Sequence, residues 1–113
     1  MSMELTQAER ADGTVVIAVS GKVMMGPDSE PITRLVEDLL RAGKRRIVFD
    51  IAGVTRIDST GIGRFIYAYN RITAEDGQMR MAAAPSLIFR IFHLSLLDTV
   101  IHFYPTVEAA CQA

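Results

Sequence analysis

Cysteine is nearly absent from the 113-residue sequence, in which Cys111 stands alone. A single thiol excludes a disulfide within the chain and is typical of a reducing compartment. The sequence also lacks a basic start followed by a long apolar run, so we expect neither a signal peptide nor membrane insertion. These absences together predict a cytoplasmic protein.

An excess of charge of one sign is also missing, since 12 Lys and Arg residues oppose 13 Asp and Glu residues. A protein that binds nucleic acid or an anionic membrane would carry a basic excess, so we expect neither partner. The net charge of −1 gives little repulsion between copies and is compatible with a weak homodimer. A hydrophobic share of 50% excludes disorder and, at this length, predicts one domain over residues 1–113.

No recognisable catalytic or metal-binding constellation is present. His93 and His102 have no partner at metal-ligand spacing, and no neighbour of Cys111 would activate a thiolate. Asp50 and Asp58 are expected to accept backbone hydrogen bonds rather than to pair as acid and base. We therefore predict a protein that is not an enzyme and needs no metal or cofactor.

Hydrophobic periodicity predicts strands and helices that alternate along the chain. Strand patterns bounded by turn residues fall at 5–10, 14–20, 46–51, 78–84 and 100–103. Amphipathic stretches predict four helices, the first capped by Asp28 or Ser29, the second starting at the 58–61 segment, the third capped by Ser86 and the fourth opened by Pro105 or Thr106. Asp12-Gly13 predicts a two-residue hairpin turn, and Gly21 is expected to end the second strand.

The resulting order, β-β-α-β-α-β-α-β-α, predicts an α/β fold. A strand, a helix and a strand in succession form a parallel pair, whereas a tight hairpin forms an antiparallel one. We therefore expect a mixed sheet of about five strands. About four helices should lie mainly on one face of that sheet, because each shows a single apolar stripe.

Residues 50–63, DIAGVTRIDSTGIG, place several polar groups where a strand gives way to a helix. Asp58, Ser59 or Thr60 can be the N-cap, whose side-chain oxygen accepts from a free backbone N–H. Gly61 and Gly63 can serve the close packing of the first turn. The same polar groups also converge near the carboxyl end of a strand, where α/β folds place their sites. Capping and function therefore both remain open here.

This segment resembles the signature of the STAS-domain family, whose best-known soluble members are bacterial anti-sigma factor antagonists. The signature consists of an apolar strand ending in Asp, a Gly-Val pair, and Asp-Ser-(Ser/Thr)-Gly-(Leu/Ile)-Gly. The corresponding residues here are Asp50, Gly53-Val54 and the DSTGIG run at 58–63. Further similarity at 16–21, 77–81, 94–98 before Val100, and 104–110 extends over nearly the whole chain. The resemblance implies a single STAS-like domain.

In phosphorylatable members of the family, the serine after the signature Asp accepts a phosphate from a kinase that is also an anti-sigma factor. By resemblance this role falls on Ser59, with Thr60 as the neighbouring alternative. The implied partners are an anti-sigma factor and serine kinase of the histidine-kinase-like ATPase type, and a serine phosphatase. The unphosphorylated domain would bind the kinase and release a sigma factor. The implied contact residues are Met24, Asp58, Ser59, Thr60, Gly61, Ile62 and Gly63.

One position departs from the family pattern. Many members read Gly-Glu-Leu-Asp after the second strand, but residues 21–24 here are GKVM, so Met24 stands where the Asp would be. In the family that Asp lies near the phosphorylation site. Its loss favours an alternative, a non-switching STAS subunit of a lipid-transporter or larger signalling complex, in which the Ser59 surface would be a constitutive interface.

Overall fold

The computed structural model describes residues 3–113, and within them strands and helices alternate in the predicted order. The strands are β1 (Met3–Glu9), β2 (Val15–Val23), β3 (Arg46–Ile57), β4 (Gln78–Ala82) and β5 (His102–Tyr104). The helices are α1 (Pro31–Arg41), α2 (Ser59–Ala74), α3 (Ser86–Leu94) and α4 (Val107–Gln112). Single turns of 3₁₀ helix at Pro27–Ser29 and Leu97–Thr99 precede α1 and β5.

The five strands form one mixed sheet in the order β1-β2-β3-β4-β5, which confirms the expected fold class. β1 is antiparallel to β2, and the other neighbours are parallel. Each parallel connection contains a helix, as parallel neighbours require. The β1–β2 hairpin has a three-residue loop, closed by the Arg10 amide donating to Thr14 O, with Gly13 at φ 89°. The predicted two-residue turn was therefore one residue too short.

Three helices cover one face of the sheet and the fourth covers the other, so the expectation of helices mainly on one face is confirmed. On the first face, the Phe65 ring of α2 lies 5.2 Å from that of Phe49 in β3 and 6.0 Å from that of Phe92 in α3, measured between centroids. On the second face, Cys111 of α4 packs against Val48. Burial of these apolar side chains on both faces holds the three layers together.

β2 and β3 extend past their predicted ends and thereby reach the candidate site. Gly21, at φ 88°, lies at a bulge that shifts the register, and pairing with β3 resumes beyond it. β2 therefore continues to Val23, which pairs with Ile57 at the end of β3. The expectation that Gly21 ends the second strand was wrong, because a glycine at positive φ can bulge a strand as well as terminate it.

α1 starts later than either predicted cap. Glu30 is the N-cap and Pro31 the first helical residue. Ser29 is fully buried, and its hydroxyl donates to Met24 O at 2.7 Å. The predicted caps at Asp28 and Ser29 were therefore wrong, because Ser29 bonds within the preceding loop and both residues lie in the 3₁₀ turn.

An ion-pair cluster joins α1 to α2. Glu37 of α1 accepts hydrogen bonds from Arg71 Nε at 2.6 Å, from Arg71 Nη2 at 3.0 Å and from the Tyr67 hydroxyl at 2.5 Å. The Arg71 guanidinium, followed by the Tyr67 hydroxyl, lowers the pKa of the Glu37 carboxyl from 4.5 to about 2. The cluster fixes the two helices that flank the candidate site.

Among residues 3–113, no helix combines the length and the apolar character that crossing a bilayer requires.

Candidate functional site

Asp58 is the N-cap of α2, which decides among the three capping residues that the sequence left open. Its Oδ1 accepts from the Gly61 amide at 2.8 Å. Its Oδ2 accepts from the Met25 amide at 2.8 Å. The Gly61 amide, followed by that of Met25, lowers the pKa of the Asp58 carboxyl below its ordinary value. One ionised carboxylate therefore joins the start of α2 to the loop after β2.

The loop between β2 and α1 has a second attachment to α2 through Arg64. Arg64 Nε donates to Ser29 Oγ at 3.1 Å, and Arg64 Nη2 donates to Gly26 O at 3.3 Å. Ser29 in turn donates to Met24 O. Met24 is thereby held beside the start of α2, half-buried, while Met25 is 79% exposed.

Ser59 and Thr60 occupy different environments in the first turn of α2. Ser59 is the first helical residue and is exposed, so its hydroxyl is accessible from solvent. Thr60 is half-buried and lines an open groove of about 530 Å³ between α1 and α2. That groove is also lined by Glu30, Thr33, Gly63, Arg64 and Tyr67. Of the two residues, Ser59 is the more exposed.

Gly61 and Gly63 look equivalent in the sequence, but they differ in the space that the structure leaves for a side chain at each position. A Cβ at Gly61 would lie 1.9 Å from Val23 O, so the first turn of α2 can approach the end of β2 only without a side chain there. A Cβ at Gly63 would meet no atom within 4 Å, and Gly63 is exposed. Packing inside the domain therefore explains Gly61 and leaves Gly63 unexplained.

The fold brings all seven predicted contact residues to one edge of the domain. The end of β2 and the start of α2 lie side by side, with the Asp58 amide donating to Val23 O at 3.4 Å. Ile62 is half-buried and packs partly against the core. Sequence reasoning left out Arg64 and Ser29, which lie 35 residues apart and show no common motif.

The other residues considered at the sequence level lie outside this site. Asp50 accepts from the Ala52 amide at 3.1 Å, in keeping with the backbone role expected for it. His93 is not isolated, because its Nδ1 lies 2.8 Å from Asp98 Oδ2. His102 is exposed and Cys111 is buried. Across the described residues, no cluster of three or more His, Cys, Asp or Glu side chains is arranged to hold a metal ion.

Solved structures of other proteins share this architecture. An anti-sigma factor antagonist from Mycobacterium paratuberculosis superposes with a TM-score of 0.82 at 23% identity, covering 98% of this chain and 92% of that one. The phosphorylated form of the Bacillus cell fate determinant SpoIIAA gives 0.74 at 19% identity, covering 96% and 97%. A STAS domain protein from Planctomyces limnophilus gives 0.73 at 18% identity, covering 99% and 98%. At these identities the likeness establishes a common fold.

Sequence comparison at the family level gives a more specific result. The family model for the STAS domain matches residues 6–110, a span that runs from β1 into α4 and includes the whole candidate site. The chain therefore belongs to the STAS domain family.

Proposed function

We propose that this domain is an anti-sigma factor antagonist regulated by phosphorylation of Ser59. In its unmodified form it binds a kinase-type anti-sigma factor of the histidine-kinase-like ATPase type and displaces a sigma factor. The kinase transfers a phosphoryl group to Ser59, which blocks binding, and a serine phosphatase removes it. The exposed position of the Ser59 hydroxyl, on a helix start fixed by Asp58, is the observation that carries the proposal.

The absence of a side chain at Gly63 supports the proposal that a protein partner binds at this surface. A glycine inside a helix costs about 0.5–1 kcal/mol of stability relative to alanine, and nothing in the domain requires one here. A partner surface that packs closely on the first turns of α2 would require it. The proposed contact surface therefore consists of Met24 and residues 58–63, with Ser59 exposed within it.

The phosphoryl group acts between molecules rather than within the domain. It adds about −1.5 to −2 charges at neutral pH. The N-terminus of α2 tolerates negative charge, because the helix dipole favours an anion there. In a close-fitting interface, the same charge and bulk cost a few kcal/mol, which corresponds to roughly two or more decades in affinity.

The test is to mix the protein with candidate kinases and ATP and to measure its mass. The expected result is the gain of one phosphoryl group, lost in Ser59→Ala and retained in Thr60→Ala. The opposite pattern would place the modification on Thr60. Phosphorylated and unmodified protein are then compared for binding to the same kinase, and equal affinity would contradict the proposed switch.

Met24 supports a second candidate function, a non-switching STAS subunit of a lipid-transporter or larger signalling complex. A thioether replaces the acidic side chain that many family members carry beside the phosphorylation site, and Met24 is half-buried in this loop. In this case the Ser59 surface is a permanent interface. No kinase would then modify the protein, and it would co-purify with its complex whether residue 59 is Ser or Ala.

A further inference from the structure

α3 carries apolar side chains on the face that it turns to solvent as well as on its buried face. Ile88 and Phe92 face the core. Leu87 and Leu94 are 72% and 74% exposed, and with half-buried Ile91 they follow the i, i+4, i+7 spacing of one helical stripe. A surface helix that is apolar on both faces indicates a contact surface outside the domain.

An open groove of about 300 Å³ separates this stripe from the end of β3. Thr55, Arg56 and Ile57 line its β3 side, and Arg90 lines it from α3. Within the part of the chain that the structure describes, the side chains of Arg56 and Arg90 make no hydrogen bond or ion pair, and both residues are exposed. We call this recess, together with the stripe of Leu87, Ile91 and Leu94, the α3 groove. In it, two Arg side chains without a carboxylate partner lie beside an apolar surface.

We propose that the α3 groove binds an acidic amphipathic segment of another protein. Apolar side chains of the segment would contact Leu87, Ile91 and Leu94, and its carboxylates would pair with Arg56 and Arg90. Arg pairs with carboxylates through two parallel hydrogen bonds, and amphipathic segments are commonly bound in apolar grooves. This interaction uses neither Ser59 nor a phosphoryl group, and the groove adjoins the proposed contact surface, because Ile57 directly precedes Asp58.

Charge argues against a second copy of this chain as the occupant. A two-fold dimer through the groove would bring Arg56 and Arg90 of both copies into one interface, and like charges brought together cost free energy. A membrane surface is also disfavoured. Two cations supply only weak attraction to anionic lipid, and the surface is a recess rather than a flat face.

The experiment uses the whole 113-residue chain and a short amphipathic helical peptide of Leu and Glu as the probe. Amide chemical shifts are followed during titration with this peptide and with a matched peptide carrying Lys for Glu. We expect the Leu/Glu peptide to shift resonances at 55–57 and 87–94 and to leave those of α4 unchanged. Its affinity should exceed that of the Lys peptide by at least about tenfold and should fall as salt is added.

Two variants identify the groups responsible. Leu87→Ser combined with Leu94→Ser should weaken binding at least about tenfold while lowering the melting temperature only by the small cost of serine in a helix, because both side chains are already in water. Arg56→Glu combined with Arg90→Glu should reverse the preference between the two peptides. Leu96→Ser is the matched control, since it removes a leucine that is 66% exposed but does not line the groove.

Several outcomes would overturn the proposal. The first is no binding of the Leu/Glu peptide at about 1 mM, and the second is equal affinity for the two peptides. Shifts at the groove that depend on protein concentration alone would indicate a second copy as the occupant. Binding to phosphatidylserine vesicles, lost in the leucine variant while peptide binding is absent, would indicate a membrane instead.

Discussion

Asp58 and Met25, 33 residues apart in the chain, are joined by a hydrogen bond in which the Met25 amide donates to Asp58 Oδ2. The other oxygen of the same carboxylate caps α2. The loop that carries the exposed Met25 and the helix that carries Ser59 are therefore fixed by one side chain. Changing Asp58 should affect both segments, and variants that remove one or both oxygens distinguish the two hydrogen bonds.

Asp58→Asn keeps a carbonyl oxygen for the Gly61 amide but replaces the oxygen that serves Met25 with an NH₂ group, which cannot accept. We expect hydrogen exchange to accelerate at the Met25 amide alone in Asp58→Asn, and at both amides in Asp58→Ala. The melting temperature should fall in the order wild type, Asn, Ala. Asp50→Asn is the control, and its exchange at Met25 should stay unchanged. Unaltered Met25 exchange in Asp58→Ala would contradict this account.

Gly61→Ala and Gly63→Ala should have opposite effects on stability. The new Cβ at position 61 would overlap Val23 O, so we expect a loss of several kcal/mol in urea unfolding. The new Cβ at position 63 meets only solvent, so helix propensity should raise the free energy of unfolding by about 0.5–1 kcal/mol. If the proposed function is correct, Gly63→Ala also weakens kinase binding. A destabilised Gly63→Ala would contradict the packing argument.

The Glu37–Arg71 ion pair should make stability depend on acid pH. The Glu37 carboxyl has a pKa of about 2 in the folded protein and 4.5 when unperturbed, so unfolded chains bind its proton first as pH falls. Its contribution to stability is fully present above about pH 4.5 and is lost as pH approaches 2. Glu37→Gln should therefore be less stable than wild type near neutral pH, with the difference shrinking over that window.

Urea titrations at several pH values measure this difference, and Glu4→Gln, an exposed carboxylate on β1, is the control. A difference between wild type and Glu37→Gln that does not change from neutral pH down to about 2 would show that the ion pair does not contribute as described.

Ser59→Asp should leave the domain about as stable as wild type. A carboxylate at the first residue of α2 interacts favourably with the helix dipole, by roughly 0.3–1 kcal/mol. We expect a melting temperature within a few degrees of wild type, while Ser59→Lys lowers it. A drop of many degrees in Ser59→Asp would mean that phosphorylation acts by unfolding this domain rather than by blocking an interface.

Most of the fold could be predicted from local patterns. Apolar runs, alternation and helical spacing placed every strand and helix in the right order, because these patterns mark the segments whose side chains pack into the core. The N-cap of α4 could also be predicted from the sequence. Thr106 was one of two candidates, and its hydroxyl accepts from the Ala109 amide at 3.0 Å. The hairpin loop was one residue longer than predicted, and Pro85 rather than Ser86 is the N-cap of α3. At Gly21 and Ser29 the local signal for a strand end or a helix cap was overridden by contacts with β3 and with Arg64.

The sequence alone determined the α/β class, the STAS signature at 58–63 and the position of a serine at the start of a helix, because these depend on spacing along the chain. Only the tertiary structure decided that Asp58 also accepts a hydrogen bond from Met25 and that close packing requires a glycine at position 61 but not at 63. Only the tertiary structure decided, too, that leucines of α3 are exposed to solvent. Each of these depends on which atoms from distant segments come within a few ångströms, and spacing along one chain does not encode such distances.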